Sequence, residues 1–249
     1  MRLIDHVLEY GIYLGRSLTS LTRFEKISAI APTCDRVLEK VSALFPKDTD
    51  RWIEVGAGGG GLVRKILDEK ISPGGTVLAI EPDAWFEWFM RHSIQDERVT
   101  IAKAFASELP PLAEKTFGRG EKARIISTSV PVSMMTPQQQ DEFFGTQYDL
   151  LEPDGNQIVY IVRDIADVLL RYYPYVTMEK VWGQVIPPMP YRVHHAFKRH
   201  PAFRIFDPLL LEGEPSRNGS NGKPPTYPRP RVFTAEGHRS RGIDVPSPV

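Results

Sequence analysis

The chain has 249 residues, with 31 Lys and Arg balanced by 31 Asp and Glu, and a single cysteine. That length suits one α/β domain with additions, and the neutral balance gives no whole-chain signal for nucleic acid or a membrane. A lone Cys34 excludes a disulfide framework and a zinc cluster and favours a reducing, cytoplasmic setting.

The first predicted element is an amphipathic helix over residues 2–15. Leu3, Ile4, Val7, Leu8, Ile12 and Leu14 recur at three- and four-residue spacing, interrupted by Gly11 and Gly15. The charges inside this pattern and the lack of a small-residue cleavage site argue against a signal peptide. A second helix is predicted after Pro32, with Thr33 as its cap and Val37, Leu38, Val41 and Leu44 on one face. From residue 51 strands and helices alternate. "RWIEV" reads as a buried strand, then a glycine loop, then a helix carrying Leu62, Val63, Ile66 and Leu67. "SPGG" reads as a turn, "TVLAIE" as the second strand and "DAWFEWFMRH" as a helix. "RVTIAKA" and "ARIISTS" are the third and fourth strands, with no element assigned between them. "TPQQQDEFFGTQYDLL" is a helix, "PDGN" a turn and "QIVYIVRD" the fifth strand. "VTMEKVWGQV" and "YRVHHAFKR" close the series as a pair of strands. This order predicts a Rossmann-like, doubly wound, mostly parallel sheet. Residues 212–249 are rich in Pro, Gly, Ser and Arg and are predicted to be a disordered tail. The expected organisation is an N-terminal helical segment (1–49), a core (50–211) and that tail.

The glycine loop carries the first functional signal. In "RWIEVGAGGGGLVRKILDEK", Gly56, Gly58 and Gly61 satisfy G-x-G-x-x-G between a strand and a helix. Such a loop lets backbone approach a ligand closely and points helix N–H groups at it. Several cofactors use this turn. Glu54, two residues before Gly56, would repel a pyrophosphate and suits an ammonium group. Glu81 ends the second strand about twenty residues on, where an acid accepts hydrogen bonds from ribose hydroxyls. An ammonium and a ribose on one ligand describe S-adenosyl-L-methionine better than a dinucleotide.

"IEVGAGGGG", "VLAIEPD", "ISTSVPVSMM" and "LLEPDGNQIVYI" together resemble the successive motifs of class I S-adenosylmethionine-dependent methyltransferases, over roughly residues 50–200. "ISAIAPTCDRVLEKV", "IISTSVPVSMMTPQQQDEFF" and "KVWGQVIPPMPYRVHHAFKR" are similar to three segments of bacterial phospholipid N-methyltransferases, and more distantly to ribosomal RNA adenine dimethyltransferases. The chain departs from the first family at Thr33-Cys34, Val130, Gln184 and Met189. It lacks the aromatic that the RNA enzymes place after strand four, where Val132 stands. The resemblance implies a seven-stranded methyltransferase core. It implies that Glu54, Gly56, Ala57, Gly58, Glu81, Pro82, Ala106, Ser107 and Ser129 hold the cofactor. The acid that the family uses for the adenine amino group falls on Phe105 here, with Ser107 or Glu108 as substitutes. That departure keeps open a degenerate, non-catalytic binding protein.

On this reading Ser129, Val130 and Pro131 aim an amine acceptor, and solvent, Tyr160 or a nearby carboxylate takes its proton. The acceptor is expected to be a small-molecule or lipid amine, phosphatidylethanolamine above all. A soluble small molecule or ribosomal RNA adenine is the alternative, although nucleic acid is not the expected partner. Trp85, Phe86, Trp88, Phe89 and Met90 are read as core, with a ligand wall as the alternative. Tyr172, Tyr173 and Tyr175 are either loop tyrosines or a cation–π cage. His194 and His195 face opposite sides of a strand, so no metal site is expected. Residues 2–15 either cover the cofactor as a lid or give weak peripheral contact with the inner face of the membrane. Oligomeric state is not readable from this sequence.

Overall fold

In a computed structural model of the chain, residues 33–182 and 190–199 are described in full, together with Gly11 and the backbone of 231–234. Apart from Gly11, the predicted helix over 2–15 lies outside the described residues, as do residues 27–32 of the entry segment, Gln184, Pro187, Pro188 and Met189, and most of 212–249.

Helix α1 (Asp35–Ala43) starts one residue later than the sequence suggests. Cys34 rather than Thr33 is its N-cap, and no side chain bonds the free N–H groups there. Asp35 in the first turn and Lys40 in the last complement the helix dipole. Its face of Val37, Leu38 and Val41 is built into the main core rather than lying over it. Strand β1 (Thr49–Val55) follows, then α2 (Gly61–Lys70), β2 (Ile71–Ile80), α3 (Ala84–Ser93) and β3 (Val99–Ala102). After β3 the chain forms α4 (Leu109–Phe117), β4 (Ala123–Thr128), α5 (Pro137–Leu150) and β5 (Leu151–Ile161). The short α6 (Ala166–Leu169) leads to β6 (Tyr175–Trp182), β7 (Pro190–Phe197) and β8 (Arg231–Thr234).

The eight strands lie in the order β3-β2-β1-β4-β5-β7-β6-β8. The first five are mutually parallel and β7 is antiparallel to both neighbours. Chain order therefore reverses between β1 and β4, which is where open α/β sheets bind ligands. The expected seven-stranded frame is present. One four-residue strand is added: β8 pairs parallel with β6, from Tyr175 against Arg231 to Met178 against Thr234. That strand corrects the expectation of a tail without structure over its four residues. Its short V-F-T run sits among prolines and arginines, too little apolar sequence to register without a partner edge.

Helix α4 is a second correction, since no element was expected there. Its prolines, Pro110 and Pro111, fall in the first turn, where a missing N–H costs nothing. "SPGG" and "PDGN" are not free turns. Each lies within a strand whose pairing skips: Thr49 and Arg51 face Ile71 and Thr76, and Ala123 and Ile125 face Leu151 and Asn156. The α5 start follows its sequence signal. Thr136 Oγ1 accepts from the Gln139 N–H at 3.2 Å, and Gln139 Oε1 accepts from the Thr136 N–H at 2.9 Å.

Two apolar layers sandwich the sheet. Helices α1 and α2 cover the face bearing Trp52, Val77, Ile125 and Ile158. On the other face, residues of α4, α5 and α6 pack against Ile53, Leu78, Ile126 and Val159. The second layer contains one buried polar network. Thr128 donates to Gln147 at 2.8 Å, and Gln157 donates to both at 3.1 and 3.0 Å. Tyr173 donates to Gln157 at 3.3 Å. Such a network is tolerated because its members supply one another's partners.

Candidate functional site

The glycine loop sits at the carboxyl end of β1, beside the point where strand order reverses. Gly56, Gly58 and Gly60 have φ of 75°, 53° and 77°, the left-handed region that glycine enters without steric cost. The Gly56 and Ala57 N–H groups both reach the Ile80 carbonyl, at 3.0 and 3.1 Å. Gly60 caps α2, and no side chain makes a capping hydrogen bond there. A Cβ on Gly60 would lie 2.8 Å from Ile94 Cδ1 and 2.9 Å from Met90 Cγ, so the loop is seated on α3.

Glu81, just past β2, holds this loop. Its Oε2 accepts from the Gly58 N–H at 2.9 Å and its Oε1 from the Asp83 N–H at 3.0 Å. Burial raises its pKa, and the two backbone donors pull the other way. Pro82 follows, half-buried, and Asp83 caps α3 by accepting from Trp85 N–H at 2.9 Å.

The loop after β4 meets the glycine loop directly. Ser129 Oγ donates to the Gly56 carbonyl at 2.7 Å, and the Ser129 N–H reaches the Val55 carbonyl at 3.2 Å. A Cβ on Gly56 would lie 2.8 Å from Val130 Cγ2. Pro131 follows and leads into a turn of 3₁₀ helix, Val132–Met134. The structure thus brings Gly56, Ser129 and Val130 together.

Glu54 is placed differently from a ligand-facing acid. It is fully buried on the α1–α2 face of the sheet, opposite Ser127 in register. Ser127 Oγ donates to its Oε2, and the Tyr160 hydroxyl donates to its Oε1 at 2.5 Å. Trp52 Nε1 in turn donates to Ser127 Oγ at 2.6 Å. Burial pushes the Glu54 pKa up to about 7, against the opposing pull of the two hydroxyls. Ser127 was not singled out in the sequence; its position opposite Glu54 follows from strand register, which a single sequence does not supply. Tyr160 is likewise not an open proton acceptor, being buried and committed to Glu54.

The slot after β3 is open. Phe105 is 64% exposed, Ala106 half-buried, and Ser107 and Glu108 exposed. Glu108 accepts from the Phe105 N–H at 2.9 Å, which keeps a carboxylate at this turn although not at the expected position.

The aromatic cluster of α3 divides. Phe86, Phe89 and Met90 are core, whereas Trp85 and Trp88 are exposed, their rings 6.5 Å apart. Exposed Trp85, Phe105, Met134 and Trp182 follow or end β2, β3, β4 and β6, at the same edge of the sheet as the glycine loop. The tyrosine cage does not form. Tyr173 is buried in the core, Tyr172 donates to Asp141 at 2.6 Å, and Tyr175 begins β6 at the opposite edge of the sheet.

His194 and His195 do face opposite sides, level with Val159 and Ile158. His194 is fully buried, with its Nε2 3.0 Å from Asp164 Oδ1. That contact holds the Asp164 carboxyl down at about 2. Among the described residues no group of His, Cys, Asp and Glu is arranged to hold a metal, and no helix is long and apolar enough to cross a membrane.

No family model matches this chain, and no curated protein matches it in sequence. Solved structures do. A precorrin-6y C5,15-methyltransferase from Geobacter metallireducens is 16% identical, with 66% of this chain and 87% of that one covered and a TM-score of 0.50. The likeness is one of fold, a Rossmann-like α/β sheet. A spermidine synthase from Thermotoga maritima is 17% identical at a TM-score of 0.50, and a spermidine synthase bound to the transition-state analogue AdoDATO is 18% identical at 0.51. Each of these two covers 72% of this chain, which spans 64% of their length.

Proposed function

We propose that the protein is an S-adenosylmethionine-dependent methyltransferase acting on an amine. The observation that carries this reading is the convergence of three elements at the strand-order reversal. They are a glycine loop with left-handed backbone, a strand-2 acid bonded to that loop, and the Ser129-Val130-Pro131 loop packed on Gly56. The cofactor fits the residues present. The α2 N-terminus has no side-chain cap of its own. Glu81 carries lone pairs beyond those used by Gly58 and Asp83, suited to ribose hydroxyls. Trp85 and Phe105, both exposed and standing after β2 and β3, offer flat apolar surface.

S-adenosylmethionine supplies a methyl group already activated on a sulfonium, so the protein's work is placement and exclusion of water. Gly56, Ala57 and Gly58 give backbone approach, and Glu81 fixes the ribose. Ser129 Oγ, its proton given to Gly56, presents lone pairs to an amine N–H. Pro131 stiffens the turn that carries it.

For the acceptor, the phosphatidylethanolamine headgroup is our reading. Its support is the likeness to phospholipid N-methyltransferase segments and the exposed Trp85, Phe105, Met134 and Trp182 at the edge of the sheet bearing the loop. A soluble amine or an RNA base is the competing acceptor. Titration calorimetry with S-adenosylhomocysteine tests the cofactor: absence of binding would sink the enzyme reading in favour of a degenerate binding protein. A labelled-methyl assay on separate lipid, RNA and small-molecule fractions tests the acceptor, and label confined to RNA or soluble compounds would refute the lipid.

A further inference from the structure

The exposed apolar side chains of this fold are gathered at one end. Among the described residues five large ones reach solvent: Trp85, Trp88, Phe105, Met134 and Trp182. They follow or end β2, β3, β4 and β6, with Trp88 one turn into α3, and so stand on both sides of the glycine loop. Single exposed apolar residues are ordinary, but their confinement to one end is not. The other end of the sheet exposes charge instead, at Lys47, Asp48, Arg119, Glu121 and Lys122. Between the flanking aromatics, the loop after β4 keeps the same character: from Ser129 to Gln140 the chain carries no charged residue. Three of the four tryptophans belong to this set, and the other, Trp52, is core. Tryptophan settles readily at a membrane–water boundary, its apolar body inward and its N–H toward the headgroups.

We propose that this end of the sheet is a membrane-docking face, which seats the mouth of the site on a phospholipid bilayer. This rests on the lipid reading of the acceptor above. Such an acceptor does not come to the protein, because each methylene drawn from bilayer into water costs about four-fold in affinity. The end bearing the glycine loop must therefore go to the headgroup. The spread of the set fits a bilayer better than a second protein. From Phe105 beyond β3 to Trp182 on β6 there are six strand spacings, roughly 30 Å. Apolar side chains dispersed over that length suit a fluid surface that admits separate wedges, whereas a protein interface needs one packed core. The charges fit as well. Asp83, Glu87, Glu108 and Asp164 are engaged by the Trp85 N–H, Arg91, the Phe105 N–H and His194. Lys103 and Arg163 are exposed, and Lys180 Nζ lies 4.9 Å from the Trp182 ring centre. Cations beside interfacial aromatics meet lipid phosphates.

The experiment is tryptophan fluorescence of the full chain titrated with vesicles of equal parts phosphatidylethanolamine and phosphatidylglycerol, with and without bromine on the acyl chains as a contact quencher. The expected result is quenching of Trp85, Trp88 and Trp182 with Trp52 spared. Trp85→Phe, Trp88→Phe and Trp182→Phe should each remove a share of the quenched signal and leave the unquenched remainder. Trp88→Ser and Trp182→Ser should each weaken vesicle partitioning on the order of ten-fold and raise KM for vesicle lipid. Their kcat and KM for short-chain phosphatidylethanolamine dissolved as monomers should stay unchanged. Vesicle binding without quenching would put the contact elsewhere in the chain, and a dimer in sedimentation velocity that Trp88→Ser dissolves would give the face to a second copy; either overturns the proposal. Methyl transfer to the dissolved short-chain lipid without vesicle association overturns it alone and leaves the acceptor reading standing. Neither association nor label on any lipid overturns both. Quenching on vesicles that take no label supports the face and removes the lipid acceptor instead.

Discussion

Gly56→Ala tests whether the glycine loop and the Val130 loop are one packed unit. The new Cβ stands 2.8 Å from Val130 Cγ2, and the position has φ of 75°. An alanine in the left-handed region costs about 1–2 kcal/mol, and a methyl forced into filled space costs about 1–3 kcal/mol more. The sum, about 2–5 kcal/mol, corresponds to a fall in Tm of roughly 5–15 °C for a chain of this size. Val130→Ala removes the clashing methyl and, at a half-buried site, costs about 1 kcal/mol by itself. In the double variant only the backbone cost of Gly56→Ala remains. Urea denaturation of the four proteins should therefore show a favourable coupling of about 1–3 kcal/mol between the two substitutions. Costs that add to within about 0.5 kcal/mol would refute the contact, because the steric share would then not depend on Val130.

Other outcomes follow from the same geometry. Glu81→Ala should weaken S-adenosylhomocysteine binding at least about ten-fold, since a charged hydrogen bond of about 1.5–3 kcal/mol is lost, while circular dichroism stays native; unchanged affinity would remove the ribose role. Glu54 has a folded pKa of about 7 against an ordinary 4.5, so the unfolded chain loses this proton first and stability drains away as pH rises from about 4.5 to 7. That difference is worth about 3 kcal/mol, so Glu54→Gln should melt higher than the wild type at pH 8 and close to it at pH 5. Asp164 is shifted the other way, down to about 2, so its contribution is present above its unfolded value near 4 and lost as pH falls toward 2. Asp164→Asn should lower Tm at pH 6, and the gap should close in acid.

The alternation of apolar runs and glycine-rich turns made the parallel sheet legible, because buried parallel strands are continuous apolar stretches. The loop residues were legible for the same reason: Gly56, Gly58 and Glu81 stand at fixed places relative to strand ends. Helix α4 was hidden by Pro110 and Pro111, which read as breakers unless their first-turn position is known. Glu54 was recognised as unusual, but its surroundings depend on which strands neighbour β1. Ser127 and Tyr160 lie 73 and 106 residues away and meet it only through sheet order. The sequence allows the tyrosines after β5 as loop residues or a cage and cannot decide, because the chain crosses from one end of the strands to the other within that stretch, carrying Tyr175 away from the loop.

Strand β8 bears on solubility. Without it, β6 would end the sheet with a run of unpaired N–H and C=O groups from Tyr175 to Met178. Bare edges of that kind recruit strands from other copies and seed aggregates. The last part of the chain thus protects its own sheet from self-association, and a chain stopped before Arg231 would be expected to lose colloidal stability before it lost its glycine loop.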